Sequence, residues 1–419
     1  MQIDVRSTML QDARERYLAG QMSRRKVIGL LGALGLTAAA APWLRREATA
    51  NEAPAPGGHS LMAGMQEGTP AAGPPPAPTP ALGPQADGST TWKVMAGGFN
   101  EELGAEYSVF LPETITINAG DKIYYEVGGF HNVAFGAGAD PVPLFIPDPA
   151  GGAPVATPPA AGAGQPQLIF NPQILFPAGN GSVEGSGYVN SGIAIDPTAP
   201  PIVFTFPTAG TFDYICLIHP MFMKGQVVVQ EAGSALPKDQ AAYDAETQQK
   251  LSEFDSKAGA LAGTGAASPA ADGATTHDVA IGPGEANGEL LRYILQDLTV
   301  KAGDTVRWTW KGSMTPHTVT FLGGEAPIED IIFGQGADGA PKASLNPNSF
   351  YPSDPQGTYS GQGIVNSGYM GVLPQLPTTF ELTFDTEGEY KYYCILHAGS
   401  PDDPPTQAMV GKVTVEAAS

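Results

Sequence analysis

The chain has 419 residues, room for two or three ordinary domains, and a formal charge of −21 at pH 7. The acidic residues are dispersed, which argues against nucleic acid as a partner and leaves a cationic docking protein open. There are 53 glycines and 40 prolines, while charged residues make up only 15% of the chain. Short runs of Val, Thr, Ile and Tyr recur between turn residues, so we expect all-β domains rather than a helical bundle.

The first 50 residues have the pattern of an export signal. A twin arginine, Arg24 and Arg25, precedes an apolar stretch at 27–41 that is short for a membrane span. The sequence "ATA" at 48–50 offers a small-residue cleavage site, and an uncleaved N-terminal membrane tether is the alternative. We expect 1–50 to direct twin-arginine export to the periplasm or the extracytoplasmic face of the membrane.

Two segments of biased composition read as linkers. From 51 to 90 the chain is dominated by proline, alanine and glycine, as in "GTPAAGPPPAPTPALGP". Such a segment cannot bury enough apolar surface to become ordered, and we predict a disordered linker. Residues 233–276 form the second linker, where Tyr243, Leu251 and Phe254 fall on roughly one helical face. This spacing predicts a short helix docked weakly on a neighbouring domain.

Two regions, 91–232 and 277–419, repeat the same motifs in the same order. In the first, "ITINAGDKIYYEVGGFHNVAF" corresponds to "LTVKAGDTVRWTWKGSMTPHTVTF" in the second, and "FTFPTAGTFDYICLIH" corresponds to "LTFDTEGEYKYYCILH". The offset between matching positions stays between 178 and 186 residues. Six matching blocks in one order indicate a duplicated domain.

Within each copy the sequence has the pattern of a β-sandwich. Apolar and polar residues alternate with a period of two, and Gly-Asp or Gly-Glu turns interrupt the alternation. This pattern predicts two Greek-key β-sandwiches. The long segments 131–216 and 317–394 are rich in proline and glycine, and we expect these inserts to wrap the edge of each sandwich.

The two cysteines of the chain lie in equivalent settings, each followed three residues later by a histidine and then by a methionine. Each copy also has one histidine after an earlier strand. The candidate ligands are His131, Cys216, His219 and Met223 in the first copy, and His317, Cys394, His397 and Met409 in the second. A thiolate, two imidazoles and a distant thioether make the trigonal site with a weak axial ligand that suits electron-transfer copper. We therefore predict two copper ions per chain, cycling between Cu(I) and Cu(II).

Three alternatives to a copper site stay open for these residues. Two cysteines in an exported protein can form a disulfide, although a disulfide would not require a histidine three residues later in both copies. Zinc also binds Cys and His, but a single thiolate with a methionine makes a poor zinc site. Each histidine alone could be a core residue, yet four of the six in the chain occupy equivalent positions of the repeat.

These motifs resemble those of the cupredoxins, the type 1 blue copper proteins that include plastocyanin, amicyanin and azurin. The matching segments are "HNV" and "HTV", the aromatic-x-Cys-x-x-His pattern, and "MKGQVVV" and "MVGKVTV". The resemblance covers about 91–230 and 277–416 apart from the long inserts. It implies transfer of single electrons, with His219 or His397 at the exposed edge of its centre.

The resemblance also implies that Asn132 and Thr318, next to the first ligand of each copy, tie the ligand loops together by hydrogen bonds. The copies differ in the last loop, where three residues separate histidine from methionine in the first and eleven do so in the second. The longer loop either lifts Met409 away from the metal or forms a docking surface over it. In the first copy Met221 is a competing thioether, and the "MKG" context favours Met223.

The histidine count bears on whether the chain is an enzyme. Oxidases and nitrite reductases built from cupredoxin domains need a second copper centre bound only by histidines and fed through a histidine adjacent to the cysteine. Here Ile215 and Tyr393 precede the cysteines, and only His59 and His277 remain outside the predicted ligand sets. We predict an electron carrier that is not an enzyme, with redox proteins as partners. A copper storage or delivery protein and a structural surface protein built on cupredoxin folds are the alternatives.

Overall fold

The computed structural model describes residues 78–138, 141–149, 167–185, 187–193, 200–261, 266–269, 275–285, 287–336, 339–353, 357–404 and 408–418. The predicted export signal at 1–50 and most of the predicted linker at 51–90 lie outside these residues. Within the described ranges, no helix combines the length and the apolar character needed to cross a membrane.

The described residues form mainly short strands. The strands of the first copy are β1 Gly83–Pro84, β2 Thr90–Asn100, β3 Ala105–Leu111, β4 Thr114–Asn118, β5 Lys122–Val127, β6 Ala134–Phe135, β7 Phe145–Pro147, β8 Leu168–Phe170, β9 Val189–Asn190, β10 Ile202–Thr205, β11 Gly210–Ile215 and β12 Lys224–Gln230. Those of the second copy are β13 Ala266–Pro269, β14 Thr275–Ile281, β15 Gly284–Glu285, β16 Gly288–Leu290, β17 Tyr293–Ile294, β18 Asp297–Lys301, β19 Thr305–Trp310, β20 Thr320–Phe321, β21 Ile331–Gln335, β22 Pro341–Leu345, β23 Gly357–Tyr359, β24 Val365–Asn366, β25 Thr379–Phe384, β26 Gly388–Tyr393 and β27 Val410–Glu416. The helices are α1 Pro172–Leu175, α2 Gln240–Leu261 and α3 Pro347–Phe350.

Each copy is a sandwich of two sheets. In the first copy a sheet of order β10-β5-β2-β3 faces a sheet of order β4-β12-β11-β6-β9. Side chains from both sheets fill the core between them, including the fully buried Val94, Ile123 and Val227. Buried and partly exposed residues alternate along β4 and β5, as the sequence period predicts.

The second copy repeats this arrangement. One of its sheets has the order β18-β27-β26-β20-β24, in which each strand is the counterpart of a strand in β4-β12-β11-β6-β9. The other layer is the sheet of order β13-β14-β19-β25-β23. Trp308, Phe384 and Val413 are fully buried in the core between the layers. The predicted all-β class with two β-sandwiches is confirmed.

The two sandwiches share one sheet, which the sequence pattern does not reveal. The β15–β16 hairpin of the second copy leaves its own sandwich and adds to the first, where β16 pairs antiparallel with β3. Every residue of β3 is buried, because this strand has a neighbour on each side and both of its faces are covered. Backbone bonds from Ser108 to Asn287 (3.0 Å) and from Leu291 to Gly104 (2.8 Å) extend the joint.

The long inserts join the two copies instead of only wrapping the sandwich edges. Strands β7 and β8 from the first insert and β21 and β22 from the second form one four-stranded sheet of order β21-β22-β8-β7. Lys342 Nζ lies 2.6 Å from Asp148 Oδ2 across this sheet, and Gln167 Nε2 donates to Leu345 O at 2.6 Å. The sequence motifs "NPQ" and "NPN" begin α1 and α3, where Asn171 caps the first helix and a proline occupies its first turn.

The predicted linker helix is present as α2, but its 22 residues make it longer than the short helix that the sequence predicts. The sequence predicts weak docking of this helix, but the helix makes buried contacts with the first sandwich. Tyr243 is buried, and its hydroxyl accepts a hydrogen bond from Thr116 N at 2.9 Å. Phe254 stacks on Tyr107 of β3 with ring centroids 5.8 Å apart. Ala258 is also buried, and Leu251 packs partly buried against the same apolar cluster of the shared sheet.

Candidate metal centres

Centre 1 brings three predicted ligands of the first copy together. Nδ1 of His131 and Nδ1 of His219 lie 3.1 Å apart, and Sγ of Cys216 lies 3.8 Å from each. All three side chains are buried, and their donor atoms lie within 4.8 Å of one another. The cysteine is a free thiol, so a disulfide does not account for it.

Centre 2 repeats the arrangement in the second copy. Nδ1 of His317 lies 3.1 Å from Nδ1 of His397, while Sγ of Cys394 lies 3.8 Å from the first and 3.2 Å from the second. These side chains are buried too, and this cysteine is also free. Among the described residues, these are the two groups of His, Cys, Asp or Glu that could hold a metal ion.

The spacing of the donor atoms fits a single metal ion in each centre. A point equidistant from the three donors would lie about 2.1 Å from each in centre 1 and about 2.0 Å in centre 2, near the usual metal–nitrogen distance. One soft sulfur and two imidazole nitrogens in a trigonal set suit copper better than zinc, which prefers four tetrahedral ligands. The residues present therefore fit a copper ion.

Strand ends and one tight loop position the ligands. His131 follows β5, Cys216 directly follows β11, and the backbone N–H of Cys216 donates to Met223 O at 3.0 Å, which closes the ligand loop. The corresponding bond in centre 2 runs from Cys394 N to Met409 O at 2.9 Å. One hairpin therefore carries the cysteine, the second histidine and the methionine of each centre, which fixes their relative positions.

Two glycines leave room for the first histidine of each centre. Gly97 has a φ of +74° and Gly282 a φ of +55°, a backbone region that favours glycine. A Cβ at Gly97 would collide with the ring of His131, and a Cβ at Gly282 would collide with the ring of His317. The rings of His131 and His317 thus pack directly against the backbone of Gly97 and Gly282.

The methionines occupy equivalent places despite the unequal loops. Met223 is 0% exposed and Met409 is 1% exposed. The N–H of Met223 donates to His219 O at 2.9 Å, and the N–H of Met409 donates to His397 O at 3.1 Å. The eleven-residue loop therefore keeps the Met409 backbone beside the ligands, although axial ligation by either thioether stays a prediction. Met221 is 76% exposed, so it does not share the buried position of Met223.

The hydrogen bonds implied for Asn132 and Thr318 are present. Asn132 Oδ1 accepts from Leu217 N at 2.7 Å, directly after the cysteine of centre 1. Thr318 Oγ1 accepts from Ile395 N at 2.9 Å, directly after the cysteine of centre 2, and Thr318 N donates to Cys394 Sγ at 3.3 Å. Each residue fixes the cysteine loop relative to the first histidine.

The second histidine of each centre is less exposed than the resemblance implies. His219 is 6% exposed and His397 is 3% exposed. Beside His219, Met221 and Phe222 form an exposed apolar surface, at 76% and 36% exposure. At centre 2 the turn that follows His397 is fastened by Asp403, whose Oδ2 accepts from two backbone N–H groups at 2.7 and 3.1 Å.

The sequence reasoning missed two buried glutamates behind the first histidines. Oε1 of Glu289 lies 2.7 Å from Nε2 of His317, and Oε1 of Glu106 lies 3.9 Å from Nε2 of His131. A carboxylate behind a ligand histidine fixes the orientation of the ring and its tautomer. A signal was present in the sequence, because the offset between Glu106 and Glu289 is 183 residues, as it is at the Ala-Gly-Asp turns of the repeat.

The two glutamates differ in how well they are bonded. Oε2 of Glu289 accepts from the backbone N–H groups of Ser313, Met314 and Thr315 at 3.0, 2.9 and 3.3 Å. Neither oxygen of Glu106 has a hydrogen bond of good geometry within the described part of the chain. Burial raises the pKa of Glu289 to about 7, and burial together with the nearby Glu289 charge raises that of Glu106 to about 8.

Burial also keeps the ligands neutral when no metal is bound. It lowers the pKa of His219 to about 4 and that of His317 to about 3. It raises the pKa of Cys216 to about 11 and that of Cys394 to about 12. Neutral imidazoles can bind a metal directly, whereas each thiol has to release its proton first.

No protein-family model matches the chain. Among solved structures, the chain is similar to amicyanin. A Cu(I) structure of an amicyanin mutant shares 23% sequence identity over 35% of this chain and 85% of that chain, with a TM-score of 0.20. An oxidized amicyanin mutant shares 24% identity over 35% and 86%, with a TM-score of 0.19. Amicyanin from Paracoccus versutus shares 22% identity over 33% and 79%, with a TM-score of 0.16.

The sandwiches and their ligand groups define a class of protein. Each copy is a β-sandwich that gathers one free thiol and two imidazoles at the ends of its strands. The cupredoxin resemblance predicted from the sequence motifs is confirmed at this level. The described chain thus contains two β-sandwiches, each with one group capable of binding copper, as the sequence motifs predict.

Proposed function

We propose that this protein carries single electrons between redox partners through two type 1 copper centres, one in each copy. The observation that carries the proposal is that each copy brings one thiol and two imidazole Nδ1 atoms together in a buried group. When bound, copper supplies the one-electron change between Cu(I) and Cu(II). A trigonal sulfur and nitrogen set with a weak axial ligand is acceptable to both oxidation states.

The role of the protein side chains is to hold the donors fixed and to keep water out. Cys216 and Cys394 are 0% exposed, and hydrogen bonds from the next residue to Asn132 or Thr318 fasten each cysteine loop. The N–H of Thr318 also donates to Cys394 Sγ, where hydrogen bonding tunes the reduction potential of a copper–thiolate centre. Rigid donors need little rearrangement when one electron is gained or lost.

Centre 1 is the better candidate for exchange with a partner. Its second histidine, His219, is the most exposed of its three thiol and imidazole ligands, and the apolar surface of Met221 and Phe222 lies beside it. Small apolar surfaces of this kind suit the brief contacts that redox proteins make. We propose a redox protein with a matching apolar patch as the partner, and the formal charge of −21 favours basic residues around that patch.

The histidine inventory favours a carrier over an oxidase or reductase. His277 lies in β14, where its Nε2 is 3.0 Å from Asp304 Oδ2 and is thus engaged in a structural contact. Within the described residues, the two groups capable of holding a metal each include a cysteine. A carrier accounts for both of these groups.

Reversible redox cycling of the copper-loaded protein tests this function. We expect two electrons per chain in a coulometric titration, an intense visible colour in the oxidised protein, and retention of copper through repeated cycles. Release of Cu(I) to a competing chelator on each reduction would identify a storage or delivery protein instead. A colourless preparation with full copper content would contradict type 1 centres.

We also propose export by the twin-arginine route, which rests on Arg24 and Arg25 and the apolar stretch after them. Cell fractionation tests it. Replacing both arginines by lysine keeps the charge and should leave the full-length precursor in the cytoplasm, whereas the unchanged chain should reach the periplasm or the outer face of the membrane. Export of the double-lysine chain would contradict the route.

A further inference from the structure

A pair of buried carboxyl groups lies between the two centres. Glu106 of β3 and Glu289 of β16 are directly opposed in the antiparallel pairing of the shared sheet, and both are 0% exposed. Opposed residues of an antiparallel pair have Cα atoms about 4.5–5.5 Å apart and side chains on the same face. The side chains of this pair are therefore neighbours in the interior.

Each carboxyl group lies beside the first histidine of its own centre, and only that of Glu289 is within hydrogen-bond distance. Glu289 Oε1 is 2.7 Å from His317 Nε2, and Glu106 Oε1 is 3.9 Å from His131 Nε2. The Nδ1 atoms of the same rings belong to the donor triangles. The far side of each ring thus faces the carboxyl pair, which gives the order His131, Glu106, Glu289, His317 from one donor triangle to the other.

The pair has the symmetry of the duplication. Glu106 and Glu289 are equivalent positions of the repeat, with the same 183-residue offset as the Ala-Gly-Asp turns. Their strands are antiparallel and place these equivalent residues opposite each other, with Tyr107 facing Gly288 and Ala105 facing Leu290. An approximate local two-fold axis therefore passes between the two glutamates, and each copy contributes the same group to the joint.

Simple packing does not explain two carboxyl groups at this place. Burying a carboxyl group is unfavourable unless it gains partners, and an apolar residue would fill the same volume at less cost. Glycines leave the space for these groups: a Cβ at Gly129 would lie 3.2 Å from Glu106 Oε1, and one at Gly282 would lie 2.7 Å from Glu289 Oε1. Glycine at these two positions thus leaves space for the buried carboxyl groups of Glu106 and Glu289.

We propose that Glu106 and Glu289 form a bridge that couples the two metal centres, so that the state of the metal in one centre changes the properties of the other. An effect of one centre's oxidation state on the other centre's reduction potential rests on the proposed function. An effect of metal binding at one centre on the other centre does not. In the dry interior a change of one charge at a centre acts strongly on the polar groups nearest to it. By linkage, each centre must affect the other to the same extent.

The first test measures coupling in the full-length copper protein by spectroelectrochemistry. The reduction potential of centre 1 is compared between the wild type and Cys394→Ser, which lacks centre 2. We expect at least about a fivefold change in the relative affinity of centre 1 for the two oxidation states, which is about 40 mV at 59 mV per tenfold. In Glu106→Leu the same comparison should give less than about a twofold change, the usual range for independent sites.

Matched variants separate the bridge from general effects. Glu289→Gln should also reduce the coupling, whereas Glu285→Gln should preserve it, because Glu285 is an exposed acid in the same hairpin. Glu106→Leu should fold, since Glu106 makes no hydrogen bond of good geometry among the residues described and leucine fills similar volume. Coupling that survives both bridge variants, or that is absent in the wild type, would overturn the proposal.

A second measurement does not depend on redox activity. In Cys394→Ser, Cu(I) added to centre 1 should shift the nitrogen NMR resonance of His317 Nε2. Glu106→Leu should abolish the shift, and Glu285→Gln should retain it. If the protein fails to cycle reversibly but this shift behaves as expected, the carrier function is wrong and the bridge stands. If cycling is reversible and the shift is absent or unaffected by Glu106→Leu, the bridge is wrong and the carrier stands.

Discussion

Centres 1 and 2 have the same donor atoms in different surroundings. At centre 2 the Glu289 carboxylate is bonded to the first histidine and to three backbone N–H groups, and the second histidine, His397, is 3% exposed. At centre 1 Glu106 lies 3.9 Å from its histidine, and His219 is 6% exposed beside the apolar Met221. The duplicated ligand motif therefore keeps the same set of donor atoms, while the surroundings of each centre diverge.

In the proposed electron carrier, this divergence separates two properties. Access from outside depends on the loop around the second histidine, and at centre 1 this loop carries the exposed apolar Met221 and Phe222. Firm placement of the first histidine depends on the glutamate behind it, and it is greater at centre 2. If the protein carries electrons as proposed, centre 1 would exchange them with a partner, and centre 2 would stay protected within the molecule.

The largest expected effect concerns the glutamates. Glu289→Gln should lower the copper affinity of centre 2 by about 10–100-fold, because it removes the carboxylate that orients His317 and accepts three backbone N–H groups. Glu106→Gln should lower the affinity of centre 1 by less than about tenfold, since Glu106 is more weakly engaged. Competition with a Cu(I) chelator measures both. Equal losses in the two variants would remove the contrast between the centres.

The next effect is on stability at alkaline pH in the metal-free protein. Burial raises the pKa of Cys216 from 9.0 to about 11 and that of Cys394 from 9.0 to about 12. The unfolded chain therefore loses its thiol protons first, and the free energy of unfolding falls as pH rises above 9. Each thiol should lower the free energy of unfolding by about 1.4 kcal/mol per pH unit between pH 9 and its raised pKa.

Urea unfolding at pH 8 and pH 10 measures this loss. Cys216→Ser and Cys394→Ser should each remove the pH-dependent loss of stability that is due to one thiol. Copper loading should remove the loss due to both thiols, because the bound sulfur is already deprotonated. Above pH 11 only the Cys394 contribution should continue to grow. A pH dependence that is the same in both serine variants and in the wild type would contradict the buried thiols.

A smaller effect tests the axial methionines. Met223→Leu and Met409→Leu nearly conserve volume and remove one sulfur donor each. If both methionines are axial ligands, each change should raise the reduction potential of its own centre by up to about 59 mV, a tenfold change in relative affinity. Met221→Leu is the matched control, because Met221 is 76% exposed. An unchanged potential in Met409→Leu alone would show that the longer loop removes the thioether from centre 2.

The smallest effect concerns the loop over centre 2. Asp403→Ala removes the acceptor of two backbone N–H groups and should destabilise the loop by about 1 kcal/mol. We expect centre 2 then to react faster with a small external oxidant, with centre 1 unaffected. Asp402→Ala is the control, since its contact with Lys391 is exposed and of little energetic value. Equal rates in both variants would mean that the loop does not limit access.

Local patterns predict much of this molecule. The period of two in the strands, the Gly-Asp turns and the repeated Cys and His spacing follow from contacts between residues near in sequence. They are sufficient for the all-β class and for choosing His131, Cys216 and His219, whose donor atoms the fold brings together. The helix around Tyr243 is also predictable from its apolar face, although its length depends on the shared sheet that it packs against.

Long-range pairing is what the sequence alone does not determine. The addition of β16 to β3 and the joint sheet of the inserts depend on strand partners more than 150 residues apart. Glu106 and Glu289 are hard to predict because an acid between apolar residues reads as a surface position of a strand. Their equal offset in the repeat is visible, but its meaning depends on the register that opposes them. The cupredoxin motifs also predict a more exposed second histidine than the 6% and 3% observed.

Copper content and visible and EPR spectra of three proteins test the central claim most directly: the wild type, Cys216→Ser and Cys394→Ser. We expect two copper ions per wild-type chain, one in each variant, and half of the thiolate-to-copper absorption in each variant. A variant that keeps the full spectrum, or a wild type that binds copper without thiolate absorption, would contradict the claim that each sandwich holds one cysteine-ligated copper.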